Sequence, residues 1–158
     1  MTNFYDIIDK IKQIAEGTNF TNKISFGDIS DVDLDKKTNF PLIHIVIEEA
    51  VITQRTIDFN VRLIAADLVD YYKDGVNYDK SFFGNSNMQD ILNSQLWVLT
   101  RLVTNLKAGG SRDSGFTIEE EETTMTPFLD RFENELAGWE ADIYIKTPNT
   151  ANTSSNCD

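Results

Sequence analysis

Residues 40–67 read FPLIHIVIEEAVITQRTIDFNVRLIAAD, and this stretch decides the fold. Residues 42–47 are β-branched and apolar on both faces of the predicted strand, which is typical of a central strand. In residues 57–63 apolar side chains alternate with polar ones, which is the pattern of a half-buried strand. We therefore predict a long antiparallel hairpin of residues 41–49 and 55–66, with its turn between them.

Two amphipathic helices flank this hairpin. Over residues 3–16, apolar side chains recur every three or four positions, and Gly17 is expected to end that helix. A longer stripe after the hairpin predicts a second helix, which we expect Gly109 and Gly110 to end. The stripe consists of Met88, Ile91, Leu92, Leu96, Leu99, Leu102, Val103 and Leu106.

The rest of the chain predicts shorter elements. Residues 24–26 and 32–34 read as short strands or extended loops, and residues 116–122 as a strand with one charged face. Residues 127–132 are expected to form a short irregular or helical piece, and residues 139–146 a final strand.

This order predicts the α+β class, with an antiparallel or mixed sheet built on the long hairpin and packed against two amphipathic helices. We expect residues 1–148 to form one domain and residues 149–158 to form a flexible polar tail.

The charge of the chain restricts its partners. Its formal net charge is −12, from 14 Lys and Arg against 26 Asp and Glu. This balance gives no obvious basic surface for tight DNA binding, although an acidic surface could line a passage through which DNA slides. We found no membrane segment or signal peptide and expect synthesis in the cytoplasm. Cys157 is the single cysteine, so no intrachain disulfide or cysteine-based metal site is predicted.

One acidic motif is close to a calcium loop. Asp31, Asp33 and Asp35 have the alternate spacing of calcium ligands, but the sixth position is Lys36 and the twelfth is Leu42. Those positions require Gly and Glu in the loop. An edge strand with a solvated acidic face is the better interpretation.

Three further features could carry chemistry, and each has a simpler interpretation. His44 lies inside the most apolar strand, where a packed, hydrogen-bonded histidine is expected. The run of glutamates at 119–122 favours a solvated or interface face over paired catalytic carboxylates. The glycine-rich residues 109–115 lack the Lys-Ser/Thr pair of a phosphate-binding loop. We therefore predict no catalytic residue, metal or cofactor, and a protein that is not an enzyme.

Two segments are candidates for contacts between subunits. The aromatic residues of segment 70–86 either form such an interface or cap the sheet's open edge within one subunit. These are Tyr71, Tyr72, Tyr78, Phe82 and Phe83. The second candidate is a mobile loop, residues 108–115, with the acidic residues after it, which could face a ring lumen or a neighbour. The residues concerned are Gly109, Gly110, Arg112, Asp113, Glu120 and Glu122.

The order of these segments resembles a known family. An N-terminal amphipathic helix, FPLIHIVIEE paired with TIDFNVRLIAAD, the helix QDILNSQLWVLTRLVTNL and the closing LAGWEADIYIKTP are similar to the small neck and tail-completion proteins of tailed bacteriophages, including tail terminators.

The resemblance implies a structural protein of the virion. It would form a homo-oligomeric ring, six-fold for a tail terminator or twelve-fold for a head-tail connector, at the neck or the head-proximal end of the tail. Its neighbours would be portal, connector or tail-tube proteins, and DNA would pass without tight binding. The alternatives are a phage assembly factor that leaves before maturation and an acidic host-targeting protein that mimics DNA.

Overall fold

A computed structural model describes residues 4–28, 39–70, 87–113, 115–118, 121–131 and 136–150. Within these ranges the chain has two helices and six strands, and the predicted α+β class with a mixed sheet is confirmed. The elements are α1 (Phe4–Glu16), β1 (Lys23–Phe26), β2 (Leu42–Ile52), β3 (Thr56–Leu68), α2 (Met88–Asp113), β4 (Thr117–Ile118), β5 (Met125–Arg131) and β6 (Leu136–Pro148).

The strand order of the sheet is β1-β2-β3-β6-β4, and β5 also pairs with β6. Only β1 and β2 run parallel, and every other pair is antiparallel. The two long strands β2 and β3 pair along most of their length and are joined by a short turn at residues 53–55. β3 lies at the centre, so its side chains are held by β2 on one side and β6 on the other.

Both helices pack on one face of the sheet, which we call the helix face. Its strand residues are those that alternate inward, such as Ile43 on β2, Leu63 on β3 and Ile143 on β6, each fully buried. Ile11 of α1 and Leu102 of α2 join the same cluster. At about 1.5 to 3 kcal/mol for each fully buried aliphatic side chain, this cluster is the main stabilising feature of the fold.

The opposite face of the sheet, which we call the open face, is divided along its length. At one end a smaller buried cluster contains Leu42, Ile64, Phe128 and Leu136. Towards the hairpin turn the same face carries polar and charged side chains of β2, β3 and β6, because the register brings Arg62 opposite Asp142.

Three predicted elements differ from the structure. The second helix does not end at Gly109 and Gly110 but continues to Asp113. A glycine costs about 1 kcal/mol relative to alanine inside a helix, and extending a helix that is already formed needs no new nucleation. Residues 127–131 are not irregular or helical but belong to β5, which among the described residues pairs with β6 alone and, as an edge strand, tolerates Pro127.

The predicted strand over residues 116–122 is also wrong in length, since β4 covers only Thr117–Ile118 and Glu121 and Glu122 lie outside any strand. The acidic segment 32–34 and the tail residues 151–158 lie outside the described residues.

Candidate subunit-interaction surfaces

A groove beside α2 exposes aromatic side chains. It has a volume of about 350 Å³ and is lined by Phe20, Pro41, Trp97 and Val98, with Asn93, Ser94 and Gln95 from the same helix; we call it the Trp97 groove. Phe20 is 58% exposed and Trp97 is 45% exposed. Large aromatic side chains with this much free surface are typical of the centre of a protein interface.

The aromatic side chains of the groove are fixed by contacts with one another. The rings of Phe20 and Trp97 meet edge to face, with centroids 4.8 Å apart and planes at 82°. Arg101, one turn further along α2, places its guanidinium carbon 5.2 Å from the centre of the Trp97 ring. Aromatic pairs of this kind contribute about 0.5 to 1.5 kcal/mol beyond their area, so the groove is held in shape before any partner binds.

The second surface is the turn end of the β2–β3 hairpin, residues 51–56, which we call the hairpin tip. Ile52 is 72% exposed and Val51 is 48% exposed. Val51 and Ile52 are the last two residues of β2 and lie on opposite faces of the hairpin, and their exposed apolar surface costs about 25 cal/mol for each Å². The hairpin tip is therefore a second apolar surface that gains by being covered.

The backbone of the hairpin tip is rigidly tied. Thr53 N donates to Thr56 O at 2.8 Å, and Thr56 N donates back to Thr53 Oγ1 at 2.8 Å. Asn149, just beyond β6, binds the other side of the turn through its backbone N to Arg55 O at 2.8 Å and its Nδ2 to Thr53 O at 2.9 Å. A tip ordered in this way loses little conformational entropy when it binds.

The Trp97 groove and the hairpin tip lie at opposite ends of the sheet. Pro41 lines the groove and directly precedes β2, whereas Ile52 ends that strand. At about 3.3 Å per strand residue, the eleven residues of β2 separate the two by roughly 35 Å. The tip of one molecule cannot reach the groove of the same molecule.

A third candidate surface is the polar part of the open face, centred on Arg62 in β3. Its guanidinium donates twice to Asp142 on β6, Nε to Oδ1 at 2.8 Å and Nη2 to Oδ2 at 3.3 Å. On the other side, Nη1 lies 2.8 Å from Glu48 Oε1 on β2. The hydrogen bond to Asp142 is the largest cause that raises the pKa of Arg62 above its usual range, with the nearby carboxylates adding to it.

Arg62 does not balance the negative charge of this face. The register also places Asp58 on the open face, directly opposite Lys146 of β6, and Glu140 lies near Arg62. The Oδ1 atoms of Asp58 and Asn60 are buried without a hydrogen-bond partner in the described part of the chain. Buried acceptors left unpaired cost about 1 to 3 kcal/mol each, so these two atoms lower the stability of the fold.

His44 is buried on the open face and confirms the prediction of a packed, hydrogen-bonded histidine. It is 1% exposed, and its Nε2 lies 3.0 Å from Gly27 O, which can only accept. Nε2 therefore donates, and in the neutral ring Nδ1 accepts from the Ser25 hydroxyl at 2.7 Å. His44 thus ties β1 and the residue after it to β2.

The structure describes only some of the residues that the sequence predicts to act between subunits. Tyr71, Tyr72, Tyr78, Phe82, Phe83 and Glu120 lie outside the described residues. The backbone of Gly109, Gly110, Arg112 and Asp113 is helical and forms the end of α2, which corrects the prediction of a loop there. Glu122 is exposed. Its neighbour Glu121 accepts a hydrogen bond at its backbone O from Lys107 Nζ, 3.4 Å away, which places this part of the chain beside the last turns of α2.

The Trp97 groove and the hairpin tip were missed by sequence reasoning, although each carries a signal. Leu96 belongs to the apolar stripe of α2. The next residue, Trp97, therefore lies outside this stripe although its side chain is large and aromatic. Val51 and Ile52 are adjacent aliphatic residues in the segment assigned to the turn, where polar residues are usual.

Comparison with known proteins adds no identification. A scan against known protein families and a search of curated proteins both return no match to this chain. Within the part of the chain that the structure describes, neither helix is both long and apolar enough to cross a membrane. Among the same residues, no three His, Cys, Asp or Glu side chains cluster as a metal site would require.

Proposed function

We propose that this chain is a structural, non-catalytic subunit of a bacteriophage virion. It forms a homo-oligomeric ring at the neck or the head-proximal end of the tail, as a tail terminator, tail-completion protein or head-tail connector. Portal, connector or tail-tube proteins are its neighbours, and DNA passes through the ring. The assignment to a phage rests on the order of helices and strands, which resembles that of neck and tail-completion proteins.

The observation that carries the assembly part of this proposal is the presence of two exposed apolar surfaces on one small fold. The Trp97 groove and the hairpin tip lie at opposite ends of the sheet and are each held in shape by their own contacts. A subunit in a ring touches two neighbours through two different surfaces. Two distinct apolar surfaces are what such an arrangement needs.

The acidic character of the chain supports the passage of DNA. A formal net charge of −12 repels phosphates, and a lumen that does not grip the backbone lets DNA move through it. The predicted aromatic interface at Tyr71, Tyr72, Tyr78, Phe82 and Phe83 remains part of the proposal.

The test is the state of the purified full chain and its presence in particles. Light scattering coupled to size exclusion and electron microscopy are expected to reveal closed rings, and mass spectrometry is expected to find the protein in mature virions. A strictly monomeric protein that is absent from virions would contradict the proposal. Rings or complexes that form during assembly but are absent from mature particles would instead favour the assembly-factor alternative.

A further inference from the structure

We infer that the Trp97 groove binds a small planar molecule, one that carries a hydrogen-bond donor next to an acceptor on an apolar body. Primary amides, lactams and nucleobases belong to this chemical class. The side-chain amide of Gln95 binds the polar edge of the ligand, and the aromatic walls of the groove contact its apolar body. This inference goes beyond the proposed subunit ring and does not depend on it.

Gln95 occupies a position on α2 where an apolar side chain is expected. It lies four residues after Ile91 and three before Val98, and all three side chains are buried on the same side of the helix. Gln95 itself is 2% exposed. An amide at such a position costs free energy unless it is hydrogen-bonded.

The amide of Gln95 has no hydrogen-bond partner in the part of the chain that the structure describes. Five polar side chains are buried within these ranges, and Gln95 is the only one of them without a polar contact. A buried polar group with no internal partner calls for an explanation. Because Gln95 lines the Trp97 groove, a molecule in the groove can pair with it. The other four residues, each of which has a partner, are Thr18, Asn39, His44 and Thr147.

The walls of the groove suit a planar apolar body. The rings of Phe20 and Trp97 meet edge to face, and Pro41 and Val98 extend the apolar lining. The volume of about 350 Å³ is at the lower end of the range for small-molecule sites, roughly 300 to 1,000 Å³. Water is a poor occupant of such a recess, since a held water needs about two to four polar partners.

The amide of Gln95 determines which polar edge fits. It offers an N–H donor beside a carbonyl acceptor, so a ligand with an acceptor beside a donor makes two parallel hydrogen bonds with it. Glutamine pairs with the edge of adenine in this way. A ligand that lacks the donor leaves the Gln95 oxygen unpaired in an apolar recess, and this disfavours its binding.

The charge beside the groove favours a ligand that is not a cation. Arg101 places its guanidinium carbon 5.2 Å from the centre of the Trp97 ring, and that residue lines the groove. A second positive charge would be repelled there. The net charge of the whole chain, −12, disfavours a nucleic-acid strand as the source of the planar group. The ligand is therefore a small molecule.

The closing experiment compares three small probes on the full chain. Benzamide has a planar ring and a primary amide, acetophenone has the same shape with a methyl group in place of the NH₂ donor, and acetamide lacks the ring. NMR follows the indole N–H signal of Trp97, which the variant Trp97→Phe distinguishes from that of Trp139. Benzamide is expected to bind about tenfold more tightly than acetophenone. Acetamide is expected to leave the signal unchanged at concentrations that saturate benzamide binding.

Gln95→Leu separates ligand recognition from a structural role. It removes the amide and leaves an apolar side chain on the buried side of α2, so we expect the unfolding temperature to rise by a few degrees. The preference for benzamide over acetophenone is expected to disappear in the same variant. The matched control is Gln89→Leu, which replaces an exposed glutamine of the same helix and is expected to change neither property.

Three results would overturn the inference. They are no binding of benzamide, equal binding of benzamide and acetophenone, and a Gln95→Leu protein that is less stable than the original, because the amide would then have a structural partner. None of them bears on the subunit ring, which light scattering tests without a ligand. A monomeric chain that prefers benzamide would support the ligand site and count against the ring.

Discussion

Replacing Gly138 with alanine is the sharpest test of how the sheet is built. Gly138 lies in β6 opposite Ala66 of β3 and Phe128 of β5. A Cβ atom at this position would lie 2.0 Å from Ala65 O and 2.9 Å from Ala66 Cα. Both are backbone atoms of the central strand, so no side chain can rotate away to make room.

The cost of the substitution follows from the distance that must open. To bring the Cβ contact from 2.0 Å to the 3.0 Å that real Cβ atoms respect, β3 and β6 must separate by about 1 Å at this point. Ladder hydrogen bonds of about 2.9 Å would then exceed the normal range. Losing two of them and leaving their groups buried costs roughly 3 to 5 kcal/mol, a large share of the total stability of a domain.

The assay is urea denaturation of the full chain, followed by fluorescence of its two tryptophans, with thermal unfolding beside it. We expect Gly138→Ala to lower the unfolding temperature by roughly 10 °C. The control is Gly17→Ala, where the nearest contact of the new Cβ is 3.3 Å to Ile14 O, and we expect a change of less than about 1 kcal/mol. Equal stability of the two variants would refute the close approach of β3 and β6 at Gly138.

Two further predictions concern charges. Burial raises the pKa of Asp67, partly offset by the hydrogen bond from Leu68 N to its carboxylate. The charged carboxylate therefore costs stability above that raised pKa, and the cost disappears as the pH falls through it. Asp67→Asn is expected to raise the unfolding temperature at neutral pH but not in acid, and an equal effect at both would count against this account. Arg62→Gln leaves Glu48 and Asp142 facing each other, so we expect a loss of about 1 kcal/mol that added salt reduces. Urea denaturation at low and high ionic strength measures this, and a loss that grows with salt would contradict it.

The long apolar runs made much of the fold predictable. Residues 42–47 are apolar on both alternations because β2 is covered on both faces where it begins, by the helices on one side and by the smaller cluster on the other. A two-residue period in β3 and a three-to-four-residue period in α1 reflect one buried side each. Such patterns depend only on burial, so they can be read without knowing which strands pair.

Local signals failed where tertiary contacts decide. Gly109 and Gly110 indicate a helix end, yet α2 continues past them to Asp113. Pro127 argues against a strand, yet β5 forms at a position where β6 is available for pairing. The parallel pairing of β1 with β2 depends on residues far apart in the chain, and no short pattern carries that information.

The candidate surfaces were the least predictable part because they depend on what remains uncovered. Trp97 and Phe20 are far apart in sequence and become one groove only when the turn after α1 meets α2. An aromatic residue in a helix is more often a core residue than an exposed one, so its exposure is known only after packing.

The hairpin tip owes its direction to one irregularity in the sheet. The β2–β3 register shifts between Ile47 and Glu49, so one extra residue of β2 lies opposite β3. Before the bulge, the odd-numbered residues of β2 face the helices. After it, Ile52 pairs with Ile57 and lies on the helix face, whereas Val51 pairs with Asp58 and lies on the open face. Without the extra residue, every side chain from Glu49 to Ile52 would change faces. The bulge therefore sets which aliphatic residue of the tip projects on the side of the sheet where the helices, and hence the Trp97 groove, lie.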